Sequence, residues 1–292
     1  MTGGASGRPF WKMSGSGNDF IFLDARGSAE SDELEQEDTI VALCRPHLGI
    51  GADGVVFIVD SDTACFAIRY YNADGSPAAL CGNASLCAAQ SAVMLRLVRR
   101  EDQFDFMSDA GLIRASIDRD GGASVRLSPV EAIEIRSEEP THGAELRIGF
   151  AIVGVPHLVV LVPDVAMVDV ATRGRELRYG ATRSPTGANV NFVSPGGDAT
   201  ESGAPWRIRT YERGVEAETY ACGTGAVATA ACLVRWGLAS TTSADRTATS
   251  VALQTASGSV LRVALPGHGE AGWSQLSGEG RLVYEGSLRS YR

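Results

Sequence analysis

Two cysteines, Cys81 and Cys222, stand in closely matching surroundings in a chain of 292 residues. Residues 81–95 read CGNASLCAAQSAVML and residues 222–238 read CGTGAVATAACLVRWGL, each a cysteine, a glycine and a small polar residue ahead of an alanine-rich run. Both runs predict buried helices, and the cysteines lie 141 residues apart, close to half the chain. A thiol at the first turn of a helix meets unpaired backbone N–H groups and the positive end of the helix dipole, which favour the thiolate. A thiolate is a good base for a carbon acid, and a thiol on the opposite face can return a proton. Removing a proton from one face and delivering one to the other inverts a stereocentre. The amides of Gly82, Asn83, Gly223 and Thr224 can hold a carboxylate as charge moves onto it. A lone cysteine at such a place would read as a small buried residue; duplication at matched helix starts argues for chemistry. Cys87 and Cys232 fall inside the helical runs and read as core, and Cys44 and Cys65 carry no signal.

The elements around these helices repeat as well. SGSGNDFIFLD matches AIVGVPHLVVLVPD at an offset of 137, and GIGADGVVFI matches PTGANVNFV at 136. In chain order, a Gly-rich turn at 15–18 leads into a strand at 20–23, and 28–37 is an acidic surface loop. A helix at 39–48, stopped by glycine, precedes strands at 55–59 and 65–71. After the first cysteine helix come short β-rich segments with Asp-Gly and Gly-Gly turns. Residues 128–139 read as a boundary. The second half supplies a strand pair at 149–162, a mixed segment at 165–177, strands in GANVNFV and WRIRTYE, the second cysteine helix, and a β-rich tail at 250–291. The expected fold is α/β (α+β): two pseudo-symmetric domains, each a mostly antiparallel sheet wrapped around a central helix, with the active site in the cleft between them. The domains are 1–130, joined by 282–292 as a closing strand, and 131–281.

Composition excludes several classes. A net charge of −9 and a pI near 5.0 argue against nucleic acid or an anionic membrane as partner, since both demand a basic surface. No apolar run approaches the ~18 residues of a spanning helix, and the N-terminal MTGGASGRP reads as a frayed leader without a signal-peptide core. Six cysteines without a CxxC pair read as reduced thiols in a cytoplasmic protein. The four histidines show no ligand spacing and the single lysine, Lys12, has no Schiff-base context, so neither metal nor cofactor is expected.

Taken together, SGSGNDFIFLD, GIGADG, YYNADGSPAALCGN, VPHLVV, GANVNFV and YERGVEAETYACGTGA resemble the diaminopimelate epimerase family of cofactor-independent two-cysteine amino-acid epimerases and racemases. The resemblance runs over 13–238, with LVYEGSL as a closing strand. It implies that Cys81 and Cys222 are the acid/base pair and that His157 and Glu212 assist one thiol each. It further implies that Gly82, Asn83, Gly223 and Thr224 hold the reacting carboxylate. Asn18, Asn72, Asn189, Glu212 and Arg213 match positions that bind the remote ends of an amino-acid substrate. A homodimer is usual for the family. Two places depart from its pattern: GVPH puts Val155 where an asparagine is usual, and CGNASLC puts Ala84 and Leu86 where the family carries glycine and arginine. The expected activity is epimerisation of diaminopimelate in lysine and peptidoglycan-precursor biosynthesis. The alternative is racemisation of a different polar amino acid.

Overall fold

In the computed structural model, residues 7–27, 33–78, 81–135, 141–180, 186–197, 204–239, 248–266 and 272–288 are described. Most of the expected leader, part of the acidic loop and the end of the boundary stretch lie outside them; Arg8 and Pro9 already belong to a strand.

The chain begins with β1 (Arg8–Gly15), β2 (Asn18–Asp24), α1 (Glu37–Cys44), β3 (Gly54–Val59), β4 (Ala67–Asn72), α2 (Gly82–Met94), β5 (Gln103–Ser108), β6 (Gly111–Ile117) and β7 (Ala123–Leu127). It continues with β8 (Ala132–Glu134), β9 (Arg147–Val153), β10 (Val155–Leu161), α3 (Val170–Gly180), β11 (Asn189–Ser194), β12 (Trp206–Glu212), β13 (Ala217–Thr219) and α4 (Gly223–Arg235). The last strands are β14 (Ala248–Gln254), β15 (Val260–Pro266), β16 (Ser274–Gly278) and β17 (Arg281–Leu288). Two compact units emerge, one of Met1–Val125 with Glu279–Arg292, the other of Arg126–Gly278.

Each unit repeats one pattern. In the first, β17 pairs with β1, β1 forms a hairpin with β2, β2 runs parallel to β3, and β3 is antiparallel to β4. In the second, β8, β9, β10, β11 and β12 pair in the same sequence of senses. The strand after each cysteine helix then lies parallel to the last strand of this five-strand series, β5 beside β4 and β14 beside β12, and continues antiparallel. The architecture is the expected sheet-dominated α+β, with mostly antiparallel pairing.

The period-2 alternation of the strands divides them between two faces. Ile21, Leu23, Val55 and Phe57 pack with Phe10 against Ile40 and Leu43 of α1. Leu158, Val160, Val190 and Phe192 pack with Phe150 against Val170 and Leu177 of α3. The cysteine helices take other strand contacts, α2 against β1, β2 and β6, α4 against β9, β10, β11, β14 and β15. Their small side chains let strands approach, and both are buried along most of their length. No helix among the described residues is long and apolar enough to cross a membrane.

Three sequence expectations need correction. The first helix ends at Cys44, not at the glycines, because Pro46 disfavours helical backbone at Arg45, which adopts φ −60, ψ 124. The strand expected from Cys65 begins at Ala67; Cys65 is an exposed loop residue whose amide bonds the Asp105 carbonyl. The GIGADG anchor is out by one residue. Tyr71 pairs with Val55, which pairs with Ile21, while Tyr211 pairs with Val190, which pairs with Leu158. Matching those rows sets Gly187 against Ala52, not Gly51.

Candidate active site

In the first unit the site residues sit at the ends of β-strands and the start of α2. Cys81 is the N-cap of α2 with extended backbone, φ −133 and ψ 117, and its side chain makes no capping bond. Neither Asp nor Glu occupies the first turn, so the helix's own first turn sets no carboxylate against an anion. Gly82 and Asn83 follow as the first helical residues and are buried. Gly15 lies against them: a Cβ at Gly15 would stand 2.6 Å from the Asn83 carbonyl oxygen. Gly15 closes the hairpin onto Asn18, through a turn in which Ser16 and Gly17 have φ of 55° and 105°. Two positive φ values fit the right-handed twist of a two-residue hairpin. The Asn18 side-chain oxygen is buried and has no hydrogen-bond partner among the described residues. Asn72 ends β4; its side-chain amide donates to Ser76 Oγ at 3.1 Å, and its backbone N–H to the Ser76 carbonyl at 2.9 Å.

The second unit builds the matching place with more side chains. Cys222 is the N-cap of α4 with φ −128 and ψ 113, again without a side-chain capping bond or an acidic first turn. Its Sγ lies 3.6 Å from Thr224 Oγ1. His157 on β10 pairs with Asn189 on β11, and Asn189 Oδ1 accepts the Arg213 backbone N–H at 2.7 Å. Glu212 accepts from Thr219 Oγ1 at 2.9 Å, and Arg213 donates through Nη1 to Thr186 Oγ1 at 3.0 Å. The structure thus gathers Cys222, Gly223, Thr224, His157, Asn189, Glu212 and Arg213 onto adjoining elements of the second unit. Asn18, Asn72, Cys81, Gly82 and Asn83 take comparable places in the first.

His157 is fully buried. Burial first, and the Arg213 guanidinium second, pull its pKa from 6.5 down to about 3. It is neutral at neutral pH. Asn191 fixes its tautomer: the Asn191 amide donates to the Leu158 carbonyl at 3.0 Å and faces His157 Nδ1 at 3.3 Å, while Thr210 Oγ1 donates to Asn191 Oδ1 at 3.0 Å. With an amide N–H at Nδ1, the ring proton belongs on Nε2. That nitrogen is buried with no partner among the described residues. The ring presents a hydrogen-bond donor rather than a base.

Asn191 and Thr210 are the residues that sequence reasoning missed. The available signal is the alternation in NVNF: Asn189 and Asn191 share one face of a strand whose residues are all buried, and a buried amide demands partners. The helix leaves room for this brace because a Cβ at Gly225 would stand 2.2 Å from Asn191 Oδ1. The departures from the family pattern fall in two kinds of place. Ala84 and Leu86 are buried in α2. Val155, half-buried at the start of β10, holds the row position that Asn18 holds in the first unit. The remaining helix thiols are unsuited to proton transfer near neutrality. Burial pushes Cys87 well above its ordinary value and Cys232 up to about 12.

Residues 10–133 and 150–263 match the family described as Diaminopimelate epimerase. A diaminopimelate epimerase of Gemmatimonas aurantiaca is 41% identical over 290 residues, 96% of this chain and 98% of that protein. One of Aquifex aeolicus is 40% identical over 232 residues, 76% and 79% of the two chains. Among solved structures, a Bacillus anthracis protein of the phenazine biosynthesis PhzF family superposes with a TM-score of 0.71 at 14% identity, over 96% of this chain and 98% of that one. A hydroxyproline epimerase from Agrobacterium vitis gives 0.66 at 16% identity, over 97% and 93%. These two show the fold alone. The duplicated helix starts, the strand order and the relatives agree, and the chain belongs to the diaminopimelate epimerase family.

Proposed function

We propose that the chain interconverts the LL and meso isomers of diaminopimelate, with Cys81 and Cys222 as the two proton carriers at one Cα. The observation that carries this reading is the occurrence of the same N-cap cysteine, in nearly the same backbone conformation, on the matching helix of each repeat. The enzyme is an isomerase that needs no pyridoxal phosphate. One cysteine, as thiolate, takes the Cα proton; the electron pair moves into the adjacent carboxylate; the other cysteine, as thiol, gives its proton to the opposite face. Thiol and thiolate have then exchanged, so the return reaction starts from the other side. Amides of Gly82, Asn83, Gly223 and Thr224 hold the reacting carboxylate, where helix N-termini favour growing negative charge. Neutral His157 supplies an Nε2–H donor and Glu212 an acceptor beside the sulfurs. Asn18, Asn72, Asn189 and Arg213 take the remote amino and carboxylate groups, Arg213 with a planar fork suited to a carboxylate. The setting is lysine and peptidoglycan-precursor biosynthesis in the cytoplasm. A homodimer belongs to the same reading, and sedimentation at the mass of the 30.7 kDa chain would contradict it.

A second reading rests on Val155. An apolar side chain stands where the first repeat has Asn18, which suits a substrate with a less polar remote end. Incubating the purified chain with a panel of amino acids in deuterated water separates the two readings. Cα deuterium entering diaminopimelate alone supports the first; exchange into another amino acid with none into diaminopimelate overturns it.

A further inference from the structure

Lys12, the chain's single lysine, is 5% exposed, yet nothing in the proton-transfer scheme uses it. Its ammonium donates to the Gly51 carbonyl and lies 2.7 Å from Asp19 Oδ2. Asp19 and Asp53 hold each other: the Asp19 N–H donates to Asp53 Oδ2 at 3.1 Å, and the Asp53 N–H reaches Asp19 Oδ1 at 3.0 Å and the Asp19 carbonyl at 2.9 Å. The Ala73 N–H donates to the Asp53 carbonyl at 3.1 Å. The cation therefore holds Asp19, next to Asn18, directly, and reaches Ala73, next to Asn72, through the Asp19–Asp53 pair. Through Gly51 it also holds the 50–52 turn, whose amides close on the Leu43 and Cys44 carbonyls at the end of α1.

The second repeat shows that the fold does not need this arrangement. The row Tyr71, Val55, Ile21, Lys12 has its counterpart in Tyr211, Val190, Leu158, Phe150. Phe150 is 5% exposed in the apolar core of its unit. Two residues back along the same strands, Asp19 and Asp53 have the counterparts Pro156 and Ala188. Where one repeat has an ammonium and two carboxylates, the other packs a phenylalanine, a proline and an alanine. A buried ammonium contributes less to stability than a well-packed apolar group of similar size, so a stability role alone does not account for Lys12.

We infer that Lys12 is a positioning residue, whose ion pair with Asp19 and hold on the 49–53 turn set Asn18 and Asn72 for the remote end of the substrate. The inference rests on the proposed substrate role of Asn18. Three variants, Lys12→Met, Asn18→Ala and Lys12→Met with Asp19→Asn, are assayed for KM and kcat on diaminopimelate alongside thermal midpoints. Lys12→Met should raise KM about tenfold with kcat changed less than about threefold, the signature of weakened substrate binding. The double variant lacks the same ion pair and the same hold on Gly51, so it should keep the raised KM; a return to the wild-type KM would trace the defect to an unmatched Asp19 carboxylate and overturn the clamp. A wild-type KM in Lys12→Met while Asn18→Ala raises it overturns the clamp; so does a lowered thermal midpoint with unchanged KM. An unchanged KM in Asn18→Ala instead overturns the reading of Asn18 itself. Should Lys12→Met fail to fold, 15N-lysine labelling of the wild-type chain gives one side-chain signal. Saturating diaminopimelate should shift it, and an unmoved signal contradicts the inference.

Discussion

At the scale of single residues, function turns on which thiols and which imidazole carry protons. Replacing either Cys81 or Cys222 with serine should lower epimerisation by ~10³-fold or more, because a hydroxyl is far too weak an acid and base near neutrality; steady-state rates near wild type in either variant would remove that residue from proton transfer. His157 enters the pH dependence of stability rather than of the chemistry. Its folded pKa of about 3 lies below the ordinary 6.5, so its contribution is complete above the unfolded value. Below about pH 6.5 the unfolded chain takes up a proton that the folded chain refuses, and stability falls toward pH 3 by up to about 1.4 kcal/mol per pH unit. Denaturant titrations of His157→Gln between pH 7 and 4 should show a shallower acid decline; an identical decline would place the loss elsewhere. Val155 belongs to specificity. An asparagine there adds a donor and acceptor, so Val155→Asn should lower KM for diaminopimelate about tenfold with little change in kcat, measured by initial rates at varied substrate.

At the scale of elements, the two cysteine helices present their first turns because neither end is closed by its own cap and because glycines let neighbours approach. Gly225 is the sharpest case: Gly225→Ala drives a methyl into Asn191 Oδ1, displacing the amide that sets the His157 tautomer. The expected cost is about 1–3 kcal/mol of stability together with a lower kcat, read by thermal melts and initial rates, whereas a neutral outcome would show that Asn191 is not held in place by α4. Much at this scale is legible in the letters. Short unbroken apolar runs give β2 and β10 and the alternation in NVNF gives β11, and CGN and CGTG mark the helix starts to within one residue. The first helix escapes because its periodic pattern runs past Pro46, whose restriction on Arg45 overrides it. Asn191 and Thr210 escape because a buried amide in a strand gains its meaning from partners on other strands, which spacing along the chain does not reveal.

At the scale of the whole molecule, duplication is the message of both the sequence and the pairing of strands. Five strands pair in the same order of senses in each unit, and a cysteine helix follows each. The one-residue discrepancy at GIGADG arises because the connections between the paired strands differ in length in the two repeats, while hydrogen-bond register depends only on the strands. Once the rows are matched, the differences between the repeats become informative: Lys12 against Phe150, Asn18 against Val155. What the likeness preserves is an N-cap thiol on each side, and the claim built on it is that one thiol removes the proton and the other supplies its replacement. The direct test is the isotope content of the first product. Pure LL-diaminopimelate is incubated in deuterated water and sampled by mass spectrometry while only a small fraction has converted. The meso product should carry one Cα deuterium while the remaining LL substrate stays protiated. Product that retains the substrate's own proton, or substrate that gains deuterium as fast as product forms, would contradict two separate proton carriers.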